Sequence, residues 1–414
     1  MVFSGNQNQS RDYVPEDIIQ NIFTFLPIKD AIENSSFVST RHTRSWCYNR
    51  RFLFGIDFYL RYNQLKLATI VDHIFNFHKG SEIKIFQLHI NPIGIEIFLR
   101  RWLEICTKKD LEELELHFYE YGFIIEFSVF NALHHLKALK LVNCVIQLSE
   151  SPSGLQFLQR LYLCNLHITE DVFNVLIEHC KMLAMIDLIQ CSTIKKLILL
   201  AKENKHLKKL TIDSCRDLKE IKIDSPTLRS IFYQGNFVEV RIAQGVQLYE
   251  AFLNFIPSKN CMQSTQLEAI VNDLSHLSIL TTTHLLIEVI VASIRDGVFR
   301  DTQYYFVNLR ELHLIMDGGI FCNPYDITMF LKICPSLMKL YIDLNDYQLD
   351  LKMYWEMHQK HLLDNCSHKF NNLKVVVLRS FKFLPSELDF SKDYFAKSNN
   401  FGEFGFLSTK NYRS

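Results

Sequence analysis

From about residue 83 the chain repeats one short pattern, apolar-x-x-apolar-x-apolar, often with Asn or Cys three residues further on. It reads Ile83, Phe86, Leu88 and Asn91, then Leu111, Leu114 and Leu116, then Leu136, Leu139, Leu141 and Cys144. Leu158, Leu161 and Leu163 follow, then Leu183, Ile186, Leu188 and Cys191, then Leu207, Leu210, Ile212 and Cys215. Closer units stand at Leu218-Ile221-Ile223, Leu228-Ile231-Tyr233 and Phe237-Val240-Ile242, and the pattern resumes at Leu309-Leu312-Leu314, Leu337-Leu340-Ile342 and Leu373-Val376-Leu378. The alternation within each unit predicts a short strand. Between 111 and 207 the units restart every 22 to 25 residues. A unit of that length cannot bury its own apolar face, so neighbours must stack. An Asn or Cys at the turn is expected to point inward and satisfy backbone groups freed where the chain leaves the strand.

Longer connections predict helices. Thr169 is placed to cap a stripe of Val172, Phe173, Leu176, Ile177 and Cys180. Thr265-Gln266-Leu267-Glu268 has capping-box form, and Asp326 precedes a third stripe through Phe330, Leu331 and Cys334. The expected fold is α/β: a leucine-rich-repeat solenoid with a parallel sheet on its concave side and helices on its convex side.

The N-terminal segment follows another rule. In Val14-Pro15-Glu16-Asp17-Ile18-Ile19-Gln20-Asn21-Ile22-Phe23-Thr24-Phe25-Leu26-Pro27 the proline suits a first helical turn, and the acidic pair suits a helix N-terminus. Ile18, Ile19, Ile22, Phe23 and Leu26 form one apolar stripe, and Pro27 stops the helix. A second helix is expected from about Asp30, with Ala31, Ile32, Phe37 and Val38 apolar, followed by a polar stretch with Arg41, Arg44 and Trp46. Three short helices bury little alone and need a partner or a neighbouring domain.

This segment resembles an F-box at Pro15, Ile18, Ile22, Phe25, Leu26, Pro27, Lys29, Asp30, Val38, Ser39, Arg41 and Trp46. It departs from the motif at Val14, Thr40 and His42, where the family has Leu, Lys and a first Trp. With Phe98-Leu99-Arg100-Arg101-Trp102-Leu103, Ser225-Pro226-Thr227-Leu228-Arg229-Ser230 and Tyr233-Gln234-Gly235, the chain is similar to plant-type F-box proteins with leucine-rich repeats. Cys334-Pro335-Ser336-Leu337 and Asn372-Leu373-Lys374-Val375-Val376 resemble the FBD region that closes many of them. The resemblance implies a three-helix F-box docking on a Skp-family adaptor and, through it, a cullin. Val14, Pro15, Ile18, Ile19, Ile22, Leu26, Pro27 and Val38 would make that contact. The solenoid would hold a target protein for ubiquitination. The expected organisation is an N-terminal tail at 1–11, an F-box at 12–52, repeats at 53–242, irregular repeats or an insertion at 243–308, C-terminal FBD-like repeats at 309–381, and a tail at 382–414.

Composition narrows the function. Of 414 residues 48% are hydrophobic, and Lys plus Arg equals Asp plus Glu at 45 each. Without a basic excess, neither a nucleic-acid nor a membrane partner is expected. The 11 cysteines form no CxxC pair, and no secretory signal precedes the F-box-like segment. They are expected to be thiols in a cytoplasmic or nuclear protein. There is no phosphate loop, dinucleotide fingerprint, HExxH or GxSxG, so the chain reads as a non-catalytic receptor with no catalytic residue, cofactor or metal. Lys195-Lys196 and Lys208-Lys209 read as a solvated flank or, more sharply, an anion site.

The residue between the last two apolar positions of each unit should face the concave side: Gln87, Glu115, Lys140, Tyr162, Asp187, Thr211, Lys222, Phe232, Arg241, His313 and Tyr341. Mixed charge with spread aromatics suits a protein partner. Tyr162, Asp187, Lys222, Phe232, Arg241 and Tyr341 are the target-binding candidates. The alternative is a repeat scaffold outside any ligase, with a degenerate F-box; His42 keeps it open.

Overall fold

Every alternating stretch of the repeats becomes a strand in register with its neighbours. The structure, a computed structural model, describes residues 15–38, 45–126, 128–147, 153–256, 271, 273–295, 306–316, 324–344, 369–381, 388, 391–392 and 403–407. Its contacts divide it into two units, Met1–Leu166 and His167–Ser414.

The first unit opens with α1 (Glu16–Phe25), α2 (Ile28–Val38), a 3₁₀ turn at Ser45–Tyr48 and β1 (Arg51–Phe54). Then come α3 (Ile56–Arg61), α4 (Gln64–Phe77), β2 (Ile85–Ile90), α5 (Glu96–Thr107), β3 (Glu113–Phe118), β4 (Phe123–Glu126), α6 (Ser128–Asn131), β5 (Ala138–Val142), β6 (Cys144–Gln147) and β7 (Arg160–Cys164). Strands β1, β2, β3, β5 and β7 pair in parallel in that order, while β4 and β6 pair apart from them. Leu88, Leu116, Leu141 and Leu163 stack as one buried row behind the ladder.

The second unit begins with α7 (Glu170–His179), capped as expected by the Thr169 hydroxyl, which accepts from the Val172 N–H. Strands β8 (Met185–Ile189), β10 (Lys209–Asp213), β12 (Ser230–Asn236), β14 (Glu250–Ile256), β15 (Ile279–Thr283), β16 (Glu311–Ile315), β17 (Lys339–Asp343), β18 (Val375–Arg379) and β19 (Glu403–Leu407) form its parallel ladder. Here β9 (Lys196–Leu200), β11 (Glu220–Asp224) and β13 (Glu239–Ile242) make a separate three-stranded sheet. Helices His284–Arg295 and Pro324–Lys332 pack against one another.

The second sheet corrects the reading of two repeat units. Leu218-Ile221-Ile223 and Phe237-Val240-Ile242 carry the same alternation as the ladder strands but lie on the return path of each repeat. Residues Lys209 and Ser230 are ladder partners, as are Ser230 and Glu250, so a full turn there takes 21 and then 20 residues. A return that short has room for a strand, which covers over twice the distance of a helix per residue. Alternation alone cannot separate the outward strand from the returning one. The segment 243–308 holds β14 and β15, both in the ladder. Asp326 lies inside the first turn of Pro324–Lys332 rather than ahead of it, and the Thr265 capping box lies outside the described residues.

The turn cysteines are explained by the backbone before them. Asn143, Gln190 and Ser214 take left-handed φ values of 60°, 54° and 54°, which turn the chain out of the strand. Cys144, Cys191 and Cys215 then point into the core. The Cys191 thiol donates to the Ile189 carbonyl at 3.5 Å, and Cys215 to the Leu188 and Asp213 carbonyls at 3.7 Å. Burial pushes the Cys180 thiol up to about 12, and those of Cys106 and Cys334 upward too, so these are packing groups rather than nucleophiles.

Candidate functional site

Helix α1 starts after Pro15, whose φ of −55° preorganises the first turn, and ends at Phe25, before Pro27. Its inward side carries Phe23 and Thr24, both buried. Beneath it the Asn49 amide donates to the carbonyls of Phe23 at 2.6 Å and Leu26 at 2.7 Å, and its Oδ1 accepts from the Arg51 N–H at 2.6 Å. His78 backs this joint through Nε2 on the Asn49 carbonyl, 3.0 Å away; burial and nearby Lys109 lower its pKa to about 4. Ile28 and Ala31 of α2 are fully buried.

The outward side of α1 is unlike an ordinary helix surface. Ile18, Ile22 and Phe25 are 48%, 54% and 63% exposed and recur at helical spacing, so they form one uncovered apolar stripe. Pro15 is exposed beside it, while Ile19, Leu26 and Pro27 are half-buried. Val38 ends α2, and its side chain, like Val14, Thr40 and His42, lies outside the described residues.

The second candidate surface is the open face of each ladder. In the first unit Gln87, Glu115, Lys140 and Tyr162 stand in one row across β2, β3, β5 and β7. Glu115 pairs with His89 at 3.1 Å and Lys140 at 2.9 Å. Burial pushes its carboxyl up, but the hydrogen bonds from His89 and Lys140 outweigh it and hold it at about 2. The Lys140 ammonium sits 5.2 Å above the Tyr162 ring. Beside this row His89, His117 and Tyr119 lie ring against ring, and Tyr59 of α3 stacks on Tyr119 at 3.8 Å.

In the second unit Asp187, Thr211, Phe232, Phe252, Thr281, His313 and Tyr341 form the corresponding row. Phe232 stacks on Phe252 at 4.2 Å and His313 on Tyr341 at 4.3 Å, with the Arg379 guanidinium 5.4 Å from the Tyr341 ring. Lys222 and Arg241 do not join this row. They are ladder partners of one another on β11 and β13, on the three-stranded sheet. The lysine pairs are also divided: Lys196 is on β9, ion-paired to Glu220 at 3.3 Å, while Lys209 is on β10.

Three elements of these surfaces escape the sequence pattern. Phe252 and Thr281 belong to strands in which Ala251 and Thr282 replace a leucine of the repeat spacing, and Tyr59 reaches the face from a helix. The signal at Phe252 is Leu248-Ala251-Leu253, which has the repeat spacing, but apolar Phe252 on the open face blurs the alternation. The mid-chain Tyr233-Gln234-Gly235 motif has a packing cause. Tyr233 is buried and donates its hydroxyl to the Asn236 carbonyl, and a Cβ at Gly235 would stand 3.0 Å from that hydroxyl.

The chain is similar in sequence to known proteins. The chain is 28% identical over 387 residues to the FBD-associated F-box protein At1g61320 of Arabidopsis thaliana, covering 92% of this chain and 84% of that protein. It is 28% identical to the putative FBD-associated F-box protein At1g61330 of the same plant, covering 92% and 86%. Among solved structures, the TLR13 chain of a TLR13–ssRNA13 complex matches at 15% identity with a TM-score of 0.28, covering 80% of this chain and 49% of that one. The chain thus spans about half the length of that receptor chain. The model of the At1g61320/AtMIF1 leucine-rich-repeat domain matches residues 74–390, and the chain belongs to that family.

Proposed function

We propose that this protein is a substrate-recognition subunit of a Skp–cullin–F-box ubiquitin ligase. The observation that carries the reading is the uncovered Ile18-Ile22-Phe25 stripe on a helix whose other side is anchored by Asn49. A short apolar helix face left in water at the end of a stacked-repeat protein is a partner surface of the helix-in-groove kind. On this reading Pro15, Ile18, Ile19, Ile22, Leu26 and Pro27, with Val14 and Val38, seat on a Skp-family adaptor, which links the chain to a cullin.

The target lies on the open ladder face, against Tyr162 in the first unit and Asp187, Phe232 and Tyr341 in the second. Stacked aromatics there supply large rigid contact area. The chain acts by proximity: it donates no catalytic group and raises the local concentration of target near the ubiquitin-carrying enzyme. Such a receptor works in the cytosol or nucleus, and no helix among the described residues is long and apolar enough to cross a membrane.

Co-elution of the full chain with adaptor and cullin in size-exclusion chromatography tests the reading. A ternary complex supports it. A folded chain that elutes alone contradicts it, and leaves a repeat scaffold that binds its partner outside a ligase.

A further inference from the structure

The residues that precede successive ladder strands of the second unit form a hydrogen-bonded edge. Tyr249 N–H donates to the Arg229 carbonyl at 2.8 Å, Ser278 N–H to Tyr249 at 2.9 Å, and Arg310 N–H to Ser278 at 2.9 Å. Arg229 and Arg310 therefore stand three strands apart, roughly 14 Å at the usual strand spacing. Between them opens a cleft of about 470 Å³, within the range of ligand-binding clefts. Both arginines line it, with His276, Tyr249, Ser278 and Asn308.

Among the described residues, no carboxylate lines the cleft. The Arg229 guanidinium is held by neutral acceptors: its Nη1 donates to the carbonyls of Pro226, Leu228 and Gln247 at 3.1, 3.2 and 3.0 Å. It is fixed in place, yet its charge is not cancelled. Arg310 makes no ion pair among the described residues. The neighbouring carboxylate Glu311 is engaged elsewhere, by His313 at 2.7 Å and Lys339 at 3.2 Å. Uncompensated guanidinium groups beside a fixed cleft bind anions, because no internal partner has to be displaced and one arginine is already ordered.

We propose that this cleft is a binding site for a phosphate monoester. Two guanidinium groups lining one cleft are best matched by an anion with more than two terminal oxygens. A tetrahedral phosphate supplies three, whereas a carboxylate supplies two in one plane. The Ser278 and Tyr249 hydroxyls, the Asn308 amide and the His276 ring N–H add donors. The phosphate can come from a modified side chain of a protein or from a free small molecule; the cleft recognises the group they share. The site is independent of α1, so it stands whether or not the chain joins a ligase.

The test is calorimetric titration of the full chain with two probes, a phosphoserine peptide pool of random sequence and inorganic phosphate, with acetate as the carboxylate control. Saturable binding of either phosphate probe, weakened at least about ten-fold by Arg310→Gln and by a smaller factor by Arg310→Lys, which keeps the charge but loses the fork, is the expected result. Lys196→Gln, on the other sheet, should leave binding unchanged. Binding of the peptide alone assigns the phosphate to a modified protein, and equal binding of inorganic phosphate assigns it to a small molecule. Absence of binding by both probes at millimolar concentration overturns the proposal. So does equal binding by a folded Arg310→Gln variant, or acetate binding as tightly as phosphate.

Discussion

Asn49 donates its side-chain amide to the Phe23 carbonyl, 2.6 Å away, across 26 residues of chain. Helix carbonyls at a C-terminus lack intrahelical partners, and here a fully buried amide supplies one for Phe23 and another for Leu26. The same residue accepts from Arg51 at the start of β1, so one side chain ties α1 to the first strand of the repeats. Substituting Asn49→Leu strands two carbonyls and one N–H in the interior. The expected loss is about 1–3 kcal/mol, read from urea unfolding followed by a probe in the first unit.

A second asparagine device sits further along. Asn165 donates to Asn143 Oδ1 at 2.7 Å, and Asn143 donates to the Phe118 carbonyl at 2.6 Å. Asn143 also holds a left-handed φ of 60°. Asn143→Ala loses both the bonds and the tolerance of that φ, and should cost about 1–3 kcal/mol. Asn143→Gly restores only the backbone freedom, so its unfolding midpoint should fall between those of wild type and Asn143→Ala. A Gly variant as stable as wild type would show that the ladder contributes nothing.

Acid should loosen the joint beneath α1. Burial and Lys109 lower the His78 pKa from 6.5 to about 4, so the unfolded chain binds a proton there that the folded chain refuses. Stability is full above pH 6.5 and drains away as pH falls toward about 4. In a His78→Phe variant that decline should be absent across the same window, as measured by chemical unfolding at stepped pH. An equal slope in both proteins would contradict the assignment.

Neighbouring residues on β12 should behave as opposites. Ile231 is 2% exposed and faces the core, so Ile231→Ala should cost about 2–5 kcal/mol. Phe232 lies on the open face, stacked on Phe252, and Phe232→Ala should cost about 0.5–1.5 kcal/mol while weakening capture of a target. Equal costs would mean the ladder faces are assigned the wrong way round.

The parts of this molecule legible in the sequence are those where one physical rule acts alone. Leu139, Leu161 and Leu210 announce their strands because a period-two core residue has only one side to bury. Thr169 announces α7 because a free N-terminus calls for a hydroxyl. Lys222 and Arg241 were misplaced because a return strand alternates like an outward one, and only the 20 and 21 residue spacing tells them apart. Tyr59 against Tyr119 and Arg229 opposite Arg310 were invisible for another reason. The stacking of repeats brings them to one surface, at sequence separations no local pattern reports. On α1 the stripe was legible, but which of its residues stay in water was set by Asn49 and the 3₁₀ turn beneath.

The central claim is that the outward stripe of α1 is the adaptor-binding surface. Its most direct test is an isothermal titration of a Skp-family adaptor into the full chain, beside Ile22→Asp. Ile22 is 54% exposed, so the substitution should leave the unfolding free energy within about 0.5 kcal/mol of wild type. The account predicts tight binding by wild type and at least about a hundred-fold loss in the variant, as for a central apolar anchor. Binding that survives Ile22→Asp unchanged, or a wild-type chain that does not bind, would contradict it.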